Sequence, residues 1–447
     1  MDIEGYVRRC LRKNIPEEKI IEDGFKRIVE IKEDEEFAKK LIKAVLEEVK
    51  ISEKALNVED KNLKIILNYP KANVKMGEFG VGSRGEGDFF VHREIARIIE
   101  STNTVSYTSA KDQDDAGIVK VDKAKYIVAA VDGTHSRLSE FPFLAGFHVA
   151  RAALRDVYVK GARGIALLSD IHLADDGDIG KIFDFTAGVC CVSEALNIPL
   201  IGGSTLRVGG DMVIGDRMVS SVTAIGVIDD YEPTVRKRAK EGDVILMTKG
   251  SGGGTITTTA IFYGYYDVIY ETLNVDFIKA CEKLIETGLI KEIDAMTDVT
   301  NGGVRGDAYE ISKSSNVSLV FYKDRLYNTI NEKVLNMLLE LDIDPLGVST
   351  DSLMVICNED IADEVKKLIN AIEVGYVEKG NESYIIEDNK KKPLKPMFRE
   401  SAYTPVKKVV GEKKPKNFEK MKEMIRSACD EAIKKKDYVL ELIRKRG

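Results

Sequence analysis

The stretch EIDAMTDVTNGGVRGDAYEIS, residues 292–312, carries the clearest fold signal in the chain. A short apolar run, an aspartate and a glycine pair stand directly before a segment with helical spacing, so the stretch predicts a strand that turns sharply into a helix. Free N–H groups at Gly302 and Gly303 would attract phosphate, and Asp298 would hold a metal ion that the phosphate also contacts. A site of this kind requires further acids and glycines elsewhere in the chain that face this turn.

Length and composition indicate a globular protein with more than one domain. The chain has 447 residues, of which 44% are hydrophobic and 32% are charged. One hydrophobic core rarely organises so many residues, so we expect two domains with extensions. The six cysteines lack CxxC spacing and have no histidines placed beside them, which argues against a zinc site or a disulfide framework.

The charge balance narrows the range of partners. The formal net charge is −7 and the isoelectric point is near 5.5. A nucleic-acid binder is therefore not expected, because its phosphate contacts require a basic surface. Small anionic ligands remain compatible with this charge where metal ions bridge them. No apolar run reaches the length of a signal peptide or a membrane span, which predicts a cytoplasmic protein without a membrane contact.

Hydrophobic periodicity divides the chain into four segments. Apolar residues at helical spacing dominate the first, where FAKKLIKAVLEEVK places Phe37, Val45 and Val49 on one predicted face. Two segments of alternating strand and helix patterns follow, which is typical of α/β domains. The predicted bounds are 1–62 for a helical extension, 63–232 for an N-terminal α/β domain, 233–390 for a C-terminal domain and 391–447 for a Lys-rich helical tail.

The tail ends in one predicted helix with Met421, Ile425 and Cys429 on its apolar face. Glu and Asp alternate with its lysines. This pattern favours a helix that docks on the rest of the protein over a helix that grips a polyanion.

A glycine-rich stretch, MGEFGVGSRGEGDFFVHREIARII at 76–99, contains a literal GxGxxG at Gly80, Gly82 and Gly85. A dinucleotide-binding fold requires a strand directly before the first glycine. The nearest strand-like run, LKIIL at 63–67, ends too early for that arrangement. A mobile loop that folds over phosphates through its N–H groups is therefore favoured, and an ordinary flexible connector stays open.

Several aspartates lie at the ends of apolar runs or on apolar helices. Asp114 and Asp115 lie in KDQDDAGIV, Asp132 ends IVAAVD, and Asp156 lies in ARAALRDVYVKGARG. Any one of them is more often a turn former or a helix cap than a ligand. Several carboxylates held together repel unless cations neutralise them, and Mg²⁺ prefers oxygen ligands of this kind. The group therefore predicts a magnesium site.

Two more glycine stretches would allow the backbone to approach a nucleotide. In LIGGSTLRVGGDM at 200–212, Gly203 follows an apolar strand, and Ser204 and Thr205 supply hydroxyl groups. A tight turn explains the glycine about equally well. In TKGSGGGTITTTAIF at 248–262, a helix N-terminus capped by Thr255 or Thr257 would attract an anion, although a plain turn requires little more.

These motifs, in this order, resemble those of the aminoimidazole ribonucleotide (AIR) synthetase-like superfamily. AMTDVTNGGV, DDAGIV, AAVDGTH, ALRDVYVKGARGIAL and IGGST carry the resemblance, which covers about residues 63–385. MTDVT, RDVYVKGAR and the glycine-rich loop are similar to those of selenophosphate synthetase. The resemblance implies a two-domain α/β fold built as an α+β sandwich, whose N-terminal sheet joins that of a second subunit in a dimeric barrel.

The resemblance also implies ligands and the residues that hold them. It implies ATP, Mg²⁺ and phosphoryl transfer to a small-molecule acceptor by a homodimer. Asp156 would be catalytic, and Arg84 would help to neutralise the transferring group. By motif match, the metal-binding acids are Asp115, with Asp114 as its alternate, Asp132, Asp156 and Asp298. The nucleotide-binding positions are Gly82, Gly85, Gly87, Gly203, Ser204, Thr205, Gly302 and Gly303.

The acceptor stays open. Selenophosphate synthetase carries a reactive Cys or selenocysteine and a Lys in its glycine-rich loop, whereas GVGSRGEGD has Ser83 and Arg84, so selenium chemistry is not expected. Ser204 and Asp351 mark an altered substrate pocket. A nucleotide-binding regulatory or assembly subunit without turnover is the alternative function. A nicotinamide-dependent oxidoreductase rests on GxGxxG alone.

Overall fold

The computed structural model describes residues 1–108, 110–123, 125–134 and 137–445. These residues form two β-sheets with helices packed on them, which confirms the predicted α/β class. The helices are α1 Ile3–Arg12, α2 Glu17–Lys32, α3 Glu35–Ala55, α4 Lys61–Leu67, α5 Met76–Phe79, α6 Glu86–Glu100, α7 Pro142–Tyr158, α8 Gly180–Leu196, α9 Gly254–Tyr263, α10 Tyr266–Thr272, α11 Asp276–Glu286, α12 Gly303–Ser315, α13 Lys323–Asn328, α14 Glu332–Glu340, α15 Glu359–Ile369, α16 Pro405–Val410 and α17 Phe418–Arg444.

The first sheet has five strands in the order β1-β2-β5-β3-β4. All its neighbours are antiparallel except β3 and β4, which are parallel. Buried and less buried residues alternate along β5, because α7 and α8 cover one face of the sheet and leave the other open. The strands are β1 Gly117–Asp122, β2 Lys125–Gly133, β3 Arg163–Leu173, β4 Leu200–Arg207 and β5 Met218–Asp229.

The second sheet has seven strands in the order β12-β11-β8-β10-β6-β9-β7. Its central strands are buried on both faces, with α11 and α15 packed on one face and α12 and α13 on the other. Both sheets are open, so the described residues of one chain form no closed barrel. The strands are β6 Val244–Met247, β7 Ile293–Asp298, β8 Val317–Tyr322, β9 Leu353–Cys357, β10 Ile372–Lys379, β11 Tyr384–Glu387 and β12 Lys390–Pro393.

The N-terminal helices α1, α2 and α3 form a bundle with its own core, which Ile214 of the first sheet's domain joins. The predicted apolar face of α3 is wrong at Phe37, whose residue is 43% exposed. Its neighbour Ala38 is buried instead, and the Lys32 ammonium lies 5.8 Å from the centre of the Phe37 ring. The face of α3 that packs in the bundle therefore begins at Ala38, one residue after Phe37.

The strand-like run LKIIL is helical, so its interpretation as a strand is wrong. The Asp60 carboxylate accepts a hydrogen bond from the Leu63 N–H at 2.8 Å and caps this short helix, α4. Lys435 of α17 donates to the Asn68 carbonyl at 2.9 Å, just beyond the end of α4. A local cap and a tertiary contact therefore outweigh the β-branched residues of the run.

The tail helix α17 lies against α6, as the docking hypothesis expects. The Phe418 ring stacks on the Phe79 ring with 4.8 Å between centroids, and both side chains are buried. The Cys429 thiol lies 3.2 Å from the Glu94 carbonyl further along α6. The tail thus becomes part of the structure that supports the glycine-rich loop before α6.

None of the helices among the described residues combines the length and the hydropathy that crossing a membrane requires.

We expect Phe418→Ala to destabilise the docked tail. Truncating a buried aromatic side chain lowers the free energy of unfolding by about 3 to 5 kcal/mol. Urea unfolding followed by circular dichroism, with limited proteolysis of the tail, measures this loss. The control is Val409→Ala, because Val409 is 88% exposed and its truncation should cost under about 0.5 kcal/mol. Equal behaviour of the two variants would contradict the docking role of Phe418.

Candidate functional site

Three carboxylates meet where the two sheets' domains face each other. Asp115 lies just before β1, Asp156 lies in α7 and Asp298 is the last residue of β7. One oxygen from each carboxylate lies within 4.8 Å of the other two. The fold therefore brings together three of the four acids that the sequence predicts as metal ligands.

The negative charges of these three acids repel one another. Burial raises the pKa of Asp156 well above its ordinary value, and the charges of Asp298, Asp115 and Asp132 add to this rise. Burial also raises the pKa of Asp298 to about 6, although the charge of Arg155 opposes that rise. Beyond the cations that pair with Asp115 and Asp298, the three carboxylates repel one another, most strongly at Asp156.

The oxygen atoms present fit a divalent cation. Within the described part of the chain, the Asp156 carboxylate has no hydrogen-bond or ion-pair partner. The buried Asp298 Oδ1 has no hydrogen-bond partner either, while Asp298 Oδ2 lies 3.2 Å from Arg155. Hard carboxylate oxygens in this number are the ligands that Mg²⁺ takes in proteins. Asp115, Asp156 and Asp298 would hold such an ion.

The two remaining acids lie beside this group. Asp114 lies outside it, and its carboxylate pairs with the Lys160 ammonium and accepts the Arg236 backbone N–H at 3.1 Å. Asp132, on β2, borders a cavity of about 100 Å³ together with Arg155 and Asp351. Its charge still affects Asp156, so it lies close to the group without joining it.

Two buried cations neutralise Asp115. The Lys160 ammonium, which is fully buried, lies 3.0 Å from one carboxylate oxygen, and the Arg236 guanidinium pairs with the other. Burial alone would raise the pKa of Asp115, but Arg236 and Lys160 hold it below its ordinary value. Arg236 also donates to Glu310 at 2.7 Å, so one side chain ties the first sheet's domain to α12.

A second ion-pair group lies on the other side of Asp298. Arg155 pairs with both Asp298 and Asp351, and Arg151 lies 2.5 Å from Asp351. Asp351 has a left-handed backbone with φ of 54°, which its side-chain contacts to these arginines help to hold. Burial raises the pKa of Asp351, but the two arginines and Ser349 bring it below its ordinary value.

The glycine-rich loop is held by the carboxylate of Asp88. Its two oxygens accept hydrogen bonds from the N–H groups of Gly82 and Arg84, each at 2.8 Å. Asp88 is 2% exposed, so these are buried charge-assisted bonds, which are stronger than bonds between neutral groups. The first turn of α6 thereby fixes the loop that precedes it.

Close packing explains two of the loop's glycines. A Cβ atom on Gly85 would lie 2.2 Å from the Phe398 carbonyl oxygen, and one on Gly87 would lie 1.8 Å from the Phe79 carbonyl oxygen. The Glu86 N–H donates to the Met397 carbonyl at 3.0 Å, which binds the loop to the segment after β12. The glycines thus let the loop lie directly on neighbouring backbone.

The side chain of Arg84 faces the acids of α12. Its guanidinium lies 3.2 Å from Asp307 and 2.9 Å from Glu310, and 5.9 Å from the centre of the Phe89 ring. Asp307, which lies within α12, is fully buried in this network. A contact between Arg84 and phosphate stays a prediction.

The other predicted nucleotide-binding positions divide between two places. A Cβ atom on Gly302, whose φ is +84°, would lie 2.5 Å from the Arg84 carbonyl oxygen, and the Gly303 N–H donates to the Thr300 carbonyl at 2.8 Å. Gly203, Ser204 and Thr205 lie exposed on the edge strand β4, three strands away from Asp132 on β2. The single chain therefore does not bring this β4 segment to the acid group.

Sequence reasoning assigned no role to four residues of the site. Asp88, Arg155 and Lys160 all stand inside motifs that were recognised, and Arg236 lies between β5, the last strand of the first sheet, and β6, the first strand of the second. For Asp88, Arg155 and Lys160 the signal was a charged residue within an otherwise apolar or glycine-rich motif, whereas Arg236 stands among other charged residues. That signal is weak, because a charge at such a position is more often solvated.

The chain matches a known family in both halves. The family described as "AIR synthase related protein" matches with its N-terminal domain over residues 113–228 and with its C-terminal domain over residues 240–388. A protein of Methanocaldococcus jannaschii, described as uncharacterized, is 74% identical over 448 residues and spans 100% of this chain and 99% of its own length. Thiamine-monophosphate kinase of that organism is 27% identical over 256 residues, or 54% of this chain and 75% of the kinase.

A solved structure shows the same fold. The crystal structure of hydrogenase maturation protein HypE in complex with ATP aligns with a TM-score of 0.54 at 19% identity, covering 71% of this chain and 96% of HypE. The two family matches include AMTDVTNGGV and the motifs around Asp115, Asp132 and Asp156, so the resemblance inferred from those motifs is confirmed. The chain belongs to the AIR synthase related protein family.

Proposed function

We propose that this protein is a Mg²⁺- and ATP-dependent enzyme that activates a small-molecule acceptor by phosphoryl transfer. The observation that carries the proposal is the group of Asp115, Asp156 and Asp298, to which both domains contribute. A divalent cation held there would neutralise the charge that develops on a transferring phosphoryl group. The kinase and the ATP complex among the similar proteins support the choice of nucleotide.

The chain's own residues have separate tasks in this proposal. The glycine-rich loop, held by Asp88, covers the phosphates through its N–H groups, and Gly302 lies against that loop. Arg84 exchanges its contacts with Asp307 and Glu310 for the phosphoryl group. Positioning and charge neutralisation supply the rate enhancement, since phosphoryl transfer needs no covalent nucleophile from the enzyme.

We propose that the active form is a homodimer that forms through the first sheet. The uncovered face of that sheet exposes apolar side chains on every strand, among them Val121, Val131 and Ile201, which are 61%, 66% and 61% exposed. An exposed apolar face on a sheet favours association with another sheet. In a dimer, the β4 segment would be able to contact a nucleotide bound to the partner subunit through Gly203, Ser204 and Thr205.

One observation favours the alternative, a subunit that binds nucleotide without turnover. Asp115 and Asp298 already have cation partners, namely Lys160, Arg236 and Arg155. These ion pairs compete with a metal ion for the same carboxylates. Release of ADP from Mg·ATP distinguishes the two functions, because the alternative predicts binding alone.

We expect purified protein to release ADP from Mg·ATP when the acceptor is supplied. A panel of small metabolites, assayed for ADP and followed by mass spectrometry of new phosphorylated products, identifies the acceptor. Tight ATP binding without ADP release across the panel would contradict the enzymatic proposal and support the alternative. Absence of ATP binding would contradict both.

We expect Asp156→Asn to weaken the binding of Mg·ATP by at least about tenfold, or ~1.4 kcal/mol. Asparagine keeps the shape of the side chain and removes one of three metal-facing charges. Calorimetric titration with ATP, in Mg²⁺ and in a chelator, separates the metal-dependent part of the affinity. Asp363→Asn is the matched control, because that side chain is 96% exposed.

Thermal unfolding without metal checks that Asp156→Asn still folds. Its Tm should equal or exceed that of the wild type, because the substitution removes a buried charge that its neighbours repel. Unchanged affinity for Mg·ATP in a folded Asp156→Asn variant would show that the metal assignment is wrong.

We expect Asp88→Ala to loosen the glycine-rich loop. The variant loses two buried bonds to a charged group, each worth about 1.5 to 3 kcal/mol. Hydrogen exchange of peptides spanning residues 80–86 should be faster in the variant, and its affinity for Mg·ATP should fall. Asp60→Ala, which removes the cap of α4, is the control and should leave these peptides unchanged. Equal exchange in Asp88→Ala and wild type would contradict the anchoring role.

A further inference from the structure

A second cavity lies on the far side of α6 and α12 from the acid group. It has a volume of about 310 Å³ and opens between these two helices, the segment after β12 and the tail helix α17. Phe89 and Tyr309 form part of its wall, and Leu394 and Lys422 close it from the C-terminal side. The cavity is within the size range of small-molecule sites, about 300 to 1,000 Å³.

The cavity carries an excess of positive charge. Arg93, Lys313, Lys395 and Lys422 line it, together with the carboxylates of Glu86 and Glu382. Glu86 is already paired with Lys414, which lies outside the lining. Two of the four cations have only neutral partners among the described residues.

Because these partners are neutral, the positive charges of Arg93 and Lys313 are available to an anionic ligand. Arg93 donates to the Tyr309 hydroxyl at 2.9 Å, and Lys313 donates to the Asn381 carbonyl at 3.1 Å. Among the described residues, Lys395 has no hydrogen-bond or ion-pair partner. Lys422 alone of the four pairs with a carboxylate, that of Glu419 at 3.0 Å. Three cations without a carboxylate partner suit a ligand with two negative charges.

The same cavity offers aromatic surface to a planar ring. The rings of Phe89 and Tyr309 stack with 5.5 Å between centroids. Arg93 and Lys313 lie over the Tyr309 ring at 5.3 Å and 5.7 Å, and Phe90 adds a third ring to the wall. Aromatic walls beside unpaired cations recognise an anion that carries a flat, apolar part.

We propose that this cavity is a binding site for a phosphate monoester that carries a planar ring, of the class of nucleoside monophosphates. A phosphate monoester has a charge of about −1.5 to −2 at neutral pH, which suits the three cations that lack a carboxylate partner. The ring packs on Tyr309 and Phe90, and the phosphate lies among Arg93, Lys313 and Lys395.

The site is separate from the one shared with the family. Its residues lie at 86–93, 309–313, 381–383, 394–396 and 422. The family matches, at 113–228 and 240–388, cover neither α6 nor the tail segments that close the cavity. Phe89 lies between this cavity and Arg84, so an occupant would lie one side chain away from the glycine-rich loop.

Direct titration with AMP tests the proposal. Calorimetry in a chelator, without Mg²⁺, measures AMP, GMP, UMP, adenosine and ribose 5-phosphate against the full-length protein. AMP should bind at least tenfold more tightly than adenosine, which lacks the charge, and than ribose 5-phosphate, which lacks the ring. Lys395→Glu should weaken AMP binding at least tenfold, because it reverses the charge of an exposed side chain that has no partner to lose.

Lys390→Glu is the matched control, since Lys390 is also exposed but does not line the cavity. It should change AMP affinity by less than twofold. Absence of AMP, GMP and UMP binding would overturn the proposal. So would equal affinity of Lys395→Glu and wild type, which would place AMP at another site such as the acid group. The readout requires no ATP turnover, so it succeeds or fails independently of the proposed function.

Discussion

The balance between buried carboxylates and buried cations at the domain junction is the constraint on which the rest of this structure depends. Acids from both domains meet there, and in water-poor surroundings they would repel one another strongly. Among the residues that the structure describes, eight acids share the junction with five cations: Asp114, Asp115, Asp132, Asp156, Asp298, Asp307, Glu310 and Asp351, with Arg84, Arg151, Arg155, Lys160 and Arg236. Negative charge is therefore in excess, most clearly around Asp156.

This balance also joins the parts of the molecule. Arg236 lies between the two sheets in sequence and pairs with Asp115 of one domain and Glu310 of the other. Arg84 brings the glycine-rich loop to the same helix, α12. Removing one partner of such a buried pair costs about 3 to 5 kcal/mol, because the other charge is left unpaired. Loop, linker and α12 are thus positioned by one network.

Predictions from sequence were strongest where a short motif has one local solution. The runs ending at Asp132 and Asp298 form strands, and the helix of Asp156 is apolar apart from its functional charges, as the patterns indicate. Local reasoning was wrong at LKIIL and at Phe37, where contacts with distant helices determine the outcome. It also overlooked Lys160, whose role is visible only in the structure, where its ammonium pairs with Asp114 and Asp115.

The sequence by itself determined the α/β class, because strand and helix periodicity and glycine spacing are local properties of a chain. Its short motifs also carried the resemblance to the family, and with it the choice of candidate acids. Only the tertiary structure decided that Asp115 rather than Asp114 joins Asp156 and Asp298, and that β4 lies away from them in one chain. It alone decided that the tail closes a second, cationic cavity. These properties depend on which side chains, far apart in sequence, meet in space. Packing and charge compensation determine those contacts.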